Sequence, residues 1–312
     1  MKNIIKKLPI PIAGLMLAVA SLGNLLVAYG NIFKDICGAL SLIILILLIC
    51  KFIFFTKDSI ESLDNPVVCS VLPTFSMGIM ILSTYLKPYS NMAGKYVFYF
   101  GIVLHIILLI YFTKKYMLDF KIQRVFPSYF IVYVGISAAS IAAPAFELFS
   151  LGQGLFWFGF VSYIALLPVI LYRVFKVKSI PEPALPTIAI FTAPASLCLA
   201  GYLSSFKEVN PVIFTILLVL SVVSFIGVIC YMIKMLSLRF YPSYSAFTFP
   251  FVITAIATKK SYGYLMTNEG NVYLINYLVK FQEIIAVILV VYVLLRYVMF
   301  IFKKNIKPTV KA

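Results

Sequence analysis

Apolar residues fall into ten runs, at roughly 9–29, 33–56, 67–86, 93–114, 127–146, 152–175, 184–204, 211–234, 242–262 and 273–302. Each is close to the length an α-helix needs to cross the hydrocarbon core of a bilayer. The longest polar connection runs from Thr56 to Asn65, too short for a domain of its own. The pattern predicts an all-α membrane protein of ten transmembrane helices, forming one transmembrane domain over 1–312. The first run follows Lys2, Lys6 and Lys7 as a secretory leader would, but it continues to Tyr29 and is expected to span.

The odd-numbered runs share a second pattern. Four of them open on proline followed by a hydroxyl residue: Pro73-Thr74, Pro127-Ser128, Pro186-Thr187 and Pro242-Ser243. The first has the variant Pro9-Ile10-Pro11, and from Pro11 onward the spacings are 62, 54, 59 and 56 residues. Proline suits a helix start, because its missing N–H would be unpaired there anyway. Five such starts at near-equal spacing predict a helical hairpin repeated five times in tandem. The odd runs also hold helix-bending and small residues, namely Gly14, Gly78, Gly135, Pro194 and Pro250. The even runs are bulkier, as in SLIILILLICKFIFF. The expectation is a quasi-five-fold arrangement with the odd helices inside and the even helices outside, facing lipid. Proline inside a membrane helix frees a backbone carbonyl, which survives only against protein or a water-filled cavity.

Composition fits this picture: 63% of residues are hydrophobic and 12% charged. The net charge of +16 comes from Lys and Arg at the ends of apolar runs, not from a basic nucleic-acid-binding surface. With both termini cytoplasmic, nineteen Lys and Arg fall inside and seven outside: Lys34, Lys87, Lys95, Lys207, Lys259, Lys260 and Lys280. The expected place is therefore the cell membrane, in multi-pass form. The five cysteines sit in or beside apolar runs without CxxC spacing and read as small hydrophobes.

Catalytic chemistry is sparse. There is no HExxH, Walker A or GxSxG motif, and no metal or cofactor is expected. The single histidine, His105, lies mid-run in the fourth helix and reads as a packed residue. Carboxylates of the kind that couple ions to carriers near the membrane centre are missing; Glu283, within the tenth run, reads as an intrahelical pair with Lys280. A lumen without acids, with hydroxyls from Ser76, Ser137, Ser245 and Thr248, favours anions through weak, distributed electropositivity. Seven residues after the first proline stand Ala18, Met80, Val134, Ala193 and, in the ninth run alone, the large ring of Phe249.

Ten helices, proline-led odd helices and the string Ser245-Ala246-Phe247-Thr248-Phe249-Pro250 resemble the tellurite-resistance/dicarboxylate transporter family, which includes bacterial tellurite-resistance-type channels and plant guard-cell slow anion channels. The resemblance covers essentially the whole transmembrane chain. It implies a homotrimer with a pore in each protomer, lined by the odd helices and by Gly14, Gly78, Gly135, Pro194, Thr248 and Pro250. It also implies that Phe249 is the gate, that the function is passive conduction of small inorganic anions such as chloride or nitrate, and that the protein is not an enzyme. The alternatives are a carrier of dicarboxylate, sulfite or tellurite-type oxyanions and, from another class, a membrane enzyme acting on lipid. The first and third helices depart from the family pattern in lacking an inner proline, and the long regulatory tails of the plant proteins are not expected.

Overall fold

A computed structural model describes residues 2–268 and 272–303. Glu269, Lys304, Lys307 and Lys311, which belong to the charge pattern, lie outside the described residues. Among those described, every regular element is a helix. In chain order they are α1 (Lys2–Lys7), α2 (Ile12–Leu26), α3 (Asn31–Phe54), α4 (Thr56–Ser62), α5 (Pro66–Val71), α6 (Thr74–Leu86) and α7 (Asn91–Phe112). There follow α8 (Tyr129–Tyr133), α9 (Ala138–Ala142), α10 (Phe149–Tyr172), α11 (Ala193–Ser205), α12 (Pro211–Leu236), α13 (Phe249–Asn268) and α14 (Tyr273–Phe302). Local chemistry sets several boundaries. Asn65 and Asn210 each precede a proline, and each side chain accepts from the two following free amides, Val67 and Val68 in one case, Val212 and Ile213 in the other. Gly30, at φ 138°, takes the left-handed turn that leads into α3.

Among the described residues, eight stretches are long and apolar enough to cross a membrane. Two of the ten expected spans are not continuous apolar helices. The fifth is assembled from α8, a 3-10 turn at Gly135–Ser137, α9 and a second 3-10 turn at Ala143–Phe146. The ninth begins as a 3-10 segment, Pro242–Phe247, and becomes α-helical only at Phe249.

Burial sorts the helices into two classes. The most apolar window is 72% buried in Ile12–Tyr29 and 83% buried in both Pro66–Leu86 and Glu182–Ser205, against 22–33% in the other five spans. The deeply buried helices pack cyclically: α2 against α6, α6 against α9, α9 against α11, α11 against α13, and α13 back against α2. The helices α3, α7, α10, α12 and α14 lie outside this ring and expose large apolar side chains, such as Ile43, Phe100, Val161, Val223 and Ile288. In a water-soluble protein so much exposed apolar surface would be a liability; against lipid tails it costs nothing.

Glycine and hydroxyl residues hold the layers together. Tyr85 lies over Gly23 and Gly38 and donates to the carbonyl of Ala20 at 2.6 Å. Ser196 on α11 hydrogen-bonds Ser221 on α12 at 2.7 Å and Thr254 on α13 at 3.1 Å, so one hydroxyl cluster joins three helices. His105 is fully buried, with Nδ1 2.9 Å from Ser76 Oγ and Nε2 3.1 Å from the carbonyl of Val132. It is an interior hydrogen-bonding bridge between α7, α6 and α8.

Two expectations are corrected. Pro186 does not open its helix, because it lies inside a 3-10 segment, Glu182–Thr192. Pro73 does stand at the start of α6, as its N-cap, with the short helix α5 preceding it from Pro66. Finally, the principal partner of Glu283 is not its helical neighbour. Its Oε1 is 2.7 Å from Lys259 Nζ on α13 and its Oε2 accepts from Tyr29 at 2.5 Å, whereas Lys280 stands at 3.4 Å. Sequence proximity favoured Lys280, but the packing of α14 against α13 brings Lys259 closer.

Candidate functional site

Inside the ring of buried helices lies a cavity of about 40 Å³, room for a few water molecules at most. Every member of the ring contributes to its wall: Gly14 from α2, Val71, Thr74 and Met77 from α5 and α6, Phe130, Ile131, Val134 and Gly135 from the fifth stretch, Ile190, Ala193, Pro194 and Leu197 from the seventh, and Ser245, Ala246, Phe249 and Pro250 from the ninth. No charged side chain is among them, and the only polar ones are the hydroxyls of Thr74 and Ser245. Thr74 already donates to the carbonyl of Val71 at 2.8 Å.

The wall follows a register. Counted from Pro127, Pro186 and Pro242, most lining residues fall three to four and seven to eight positions on. These are Phe130, Ile131, Val134 and Gly135 after Pro127, then Ile190, Ala193 and Pro194 after Pro186, then Ser245, Ala246, Phe249 and Pro250 after Pro242. Gly14 and Met77 occupy the three-to-four position in the first two repeats. That spacing is one turn of helix, so each helix presents a single inward face.

At this level three helices change type. The backbone passes from 3-10 to α-helix at Ala193 and at Phe249, one residue before Pro194 and Pro250, and from α to 3-10 at Gly135. Proline explains the first two, since it removes the donor to the carbonyl four residues back. Those carbonyls belong to Ile190 and Ala246, both in the cavity wall. Ile190 recovers a partner from the Ala193 amide in the tighter 3-10 pattern. Beside Pro250 the break is wider, with Thr248 at φ −106°, ψ −84°, outside helical geometry.

The structure brings five of the seven expected site residues to this cavity: Gly14, Gly135, Pro194, Phe249 and Pro250. Phe249 is 6% exposed and its ring forms part of the wall. Gly78 and Thr248 are elsewhere. A Cβ at Gly78 would meet the terminal methyl of Met16, so this glycine lets α6 approach α2 closely. Thr248 donates to the carbonyl of Ser245 at 2.6 Å and lies 3.4 Å from that of Gly14. Both stand five or six residues after their prolines, off the inward register. Of the four hydroxyls expected to solvate an ion, only Ser245 reaches the cavity; Ser76 is held by His105 and by the carbonyl of Pro73. Ser137 is packed against Gly159. Selection by residue type overlooked Phe130, Met77 and Ile190, which the proline register would have found.

Comparison with known proteins places the chain. A family model described as voltage-dependent anion channel matches residues 7–301. An uncharacterized transporter of Methanocaldococcus jannaschii is 28% identical over 184 residues, 54% of this chain and 52% of the relative, so the match spans about half of that relative's length.

Proposed function

The chain belongs to the voltage-dependent anion channel family, and on that premise we propose that it is a passive channel for small inorganic anions such as chloride or nitrate, closed by the ring of Phe249. The observation that carries this reading is the position of Phe249 in the wall of a narrow cavity enclosed by all five buried helices. The wall is apolar and uncharged, so an ion finds no tight site there and water is held poorly. Such a constriction closes by dewetting and by steric bulk, and it opens when the bulk moves.

In this reading the ten apolar runs cross the membrane as five tandem hairpins, the odd ones lining a conduit in each subunit of a homotrimer. Both termini are cytoplasmic. The excess of Lys and Arg on that side supports the orientation, and so does the hydrogen bond from Lys7 Nζ to the carbonyl of Lys303, which brings the two described ends of the chain together. The printed name of the archaeal relative, a transporter, supports a second reading as a carrier of oxyanions such as dicarboxylate, sulfite or tellurite. A carrier needs a cationic partner for its substrate at the constriction. The absence of any from the cavity wall favours the channel.

The test is a planar-bilayer recording of the purified protein under asymmetric chloride. The Phe249→Ala variant is expected to carry a large current that reverses near the chloride equilibrium potential. Unchanged current would remove the gate, and a reversal at the cation potential would remove the anion reading.

A further inference from the structure

Lys259 and Lys260 are adjacent on α13 but do different things. Lys259 is engaged: its Nζ donates to the carbonyl of Leu25 at 3.0 Å and pairs with Glu283 at 2.7 Å. No hydrogen bond or ion pair meets Lys260 among the described residues, although most of it is withdrawn from solvent.

Helical geometry shows where Lys260 stands. At about 100° per residue, taking Phe249 as zero, Pro250 lies at about 100°, Thr254 at about 140°, Lys259 at about 280° and Lys260 at about 20°. Thr254 hydrogen-bonds Ser196 and the carbonyl of Thr192, so its direction is towards α11. Lys259 reaches Leu25 and Glu283, so its direction is towards α2 and α14. The ring interior lies between these two directions, on the side where Phe249 and Pro250 meet the cavity. Lys260 falls in that sector.

Its height is set as well. Lys260 is eleven residues beyond Phe249, about 16 Å along the helix axis. Its neighbour Lys259 bonds Leu25, the penultimate residue of α2. Lys260 therefore stands at the mouth of the ring remote from the cavity. Lys280 stands at this end too, against Tyr29 and Glu283. Glu283, the buried acid at this end, is already neutralised by Lys259 and Lys280.

We propose that Lys260 forms an anion-binding site at this mouth, which holds a small inorganic anion on the axis and supplies it to the Phe249 constriction. The inference rests on the conduit reading above. It divides the work between two places: the constriction is apolar and sets whether ions pass, while the lysine concentrates anions over cations without holding them inside the narrow part. A single cation in a low-dielectric mouth focuses its field along the axis, and salt in the adjoining solution screens it.

The test uses the full chain in the Phe249→Ala background, with Lys260→Gln, Lys260→Arg and, as a control on α4 at the opposite end of the ring, Lys57→Gln. In about 0.01 M chloride, where the Debye length is about 30 Å, Lys260→Gln is expected to lower conductance roughly threefold; in about 1 M chloride, where it is about 3 Å, the loss is expected to disappear. Lys260→Arg and Lys57→Gln are expected to match the parent. Equal low-salt conductance in Lys260→Gln and its parent would overturn the proposal, as would a loss of the same size at both salt concentrations. If the Phe249→Ala parent carries no anion current, the channel reading fails, and the site is then judged by a second measurement. Chloride replacing gluconate at constant ionic strength is expected to raise the melting temperature of the detergent-solubilised protein, and Lys260→Gln to abolish the rise. A rise of the same size in Lys260→Gln would overturn the site independently of conduction.

Discussion

Lys259 on α13 and Glu283 on α14 form an ion pair of 2.7 Å that ties a buried helix to an outer one. The Glu283 side chain is 4% exposed and that of Lys259 32%, so the carboxylate has left water while the ammonium keeps some of it. Tyr29 completes the cluster by donating to the second carboxylate oxygen at 2.5 Å.

Removing either member of this pair strands the other. A fully buried pair loses about 3–5 kcal/mol when one partner is removed, and solvent at Lys259 reduces that to about 2 kcal/mol here. Glu283→Ala is therefore expected to lower the melting temperature in detergent. A double-mutant cycle with Lys259→Ala should return a coupling of about 1–3 kcal/mol. Additive losses would show that the pair contributes nothing beyond its separate contacts.

Substitutions at Phe249 should order by volume. Phe249→Leu is expected to open the constriction partly and Phe249→Ala fully, with the larger change on the order of tenfold or more in current, equivalent to lowering a barrier by about 1.4 kcal/mol. Chloride selectivity, read as the reversal potential, should stay unchanged through the series, because the ring carries no charge. A current that rises while selectivity collapses would place the selectivity element at Phe249 itself.

His105 should matter to folding and not to conduction. Its two ring nitrogens meet Ser76 and the carbonyl of Val132 in a dry interior. His105→Leu removes the side-chain partner of the Val132 carbonyl and leaves Ser76 only the carbonyl of Pro73, and is expected to cost about 1–3 kcal/mol in thermal unfolding. The reversal potential of a Phe249→Ala/His105→Leu channel should equal that of Phe249→Ala, and a shift would bring the histidine into the permeation path.

Gly78 separates packing from pore lining. Gly78→Ala drives a Cβ into the terminal methyl of Met16, and overpacking of this kind costs about 1–3 kcal/mol. Because the neighbour is the end of a flexible side chain, Gly78→Ala combined with Met16→Ala is expected to lose less stability than the two single variants summed. Current in the Phe249→Ala background should be unaffected by Gly78→Ala.

Hydrophobic run lengths and proline positions made much of this protein legible before any coordinates. A membrane helix must bury or satisfy its own backbone, so apolar length alone announces a span, and Pro194 and Pro250 had to face protein or a cavity. Repetition of the leading prolines pointed to Phe249 as the one large ring at its register, and that ring does line the cavity. Residue type was a poorer guide than register: Gly78 and Thr248 have the small or hydroxylic character of lining residues but sit five and six places after their prolines, on another face of their helices. What only the folded chain decided are the meetings between distant segments: Lys259 with Glu283, His105 with Ser76 and Val132, and the cyclic closure of α13 against α2. Helix periodicity states which way a side chain points relative to its own axis. Which neighbour stands in that direction depends on packing among helices far apart in the chain, where lipid-like apolar surfaces offer little pairwise specificity and small-residue fit chooses the partner.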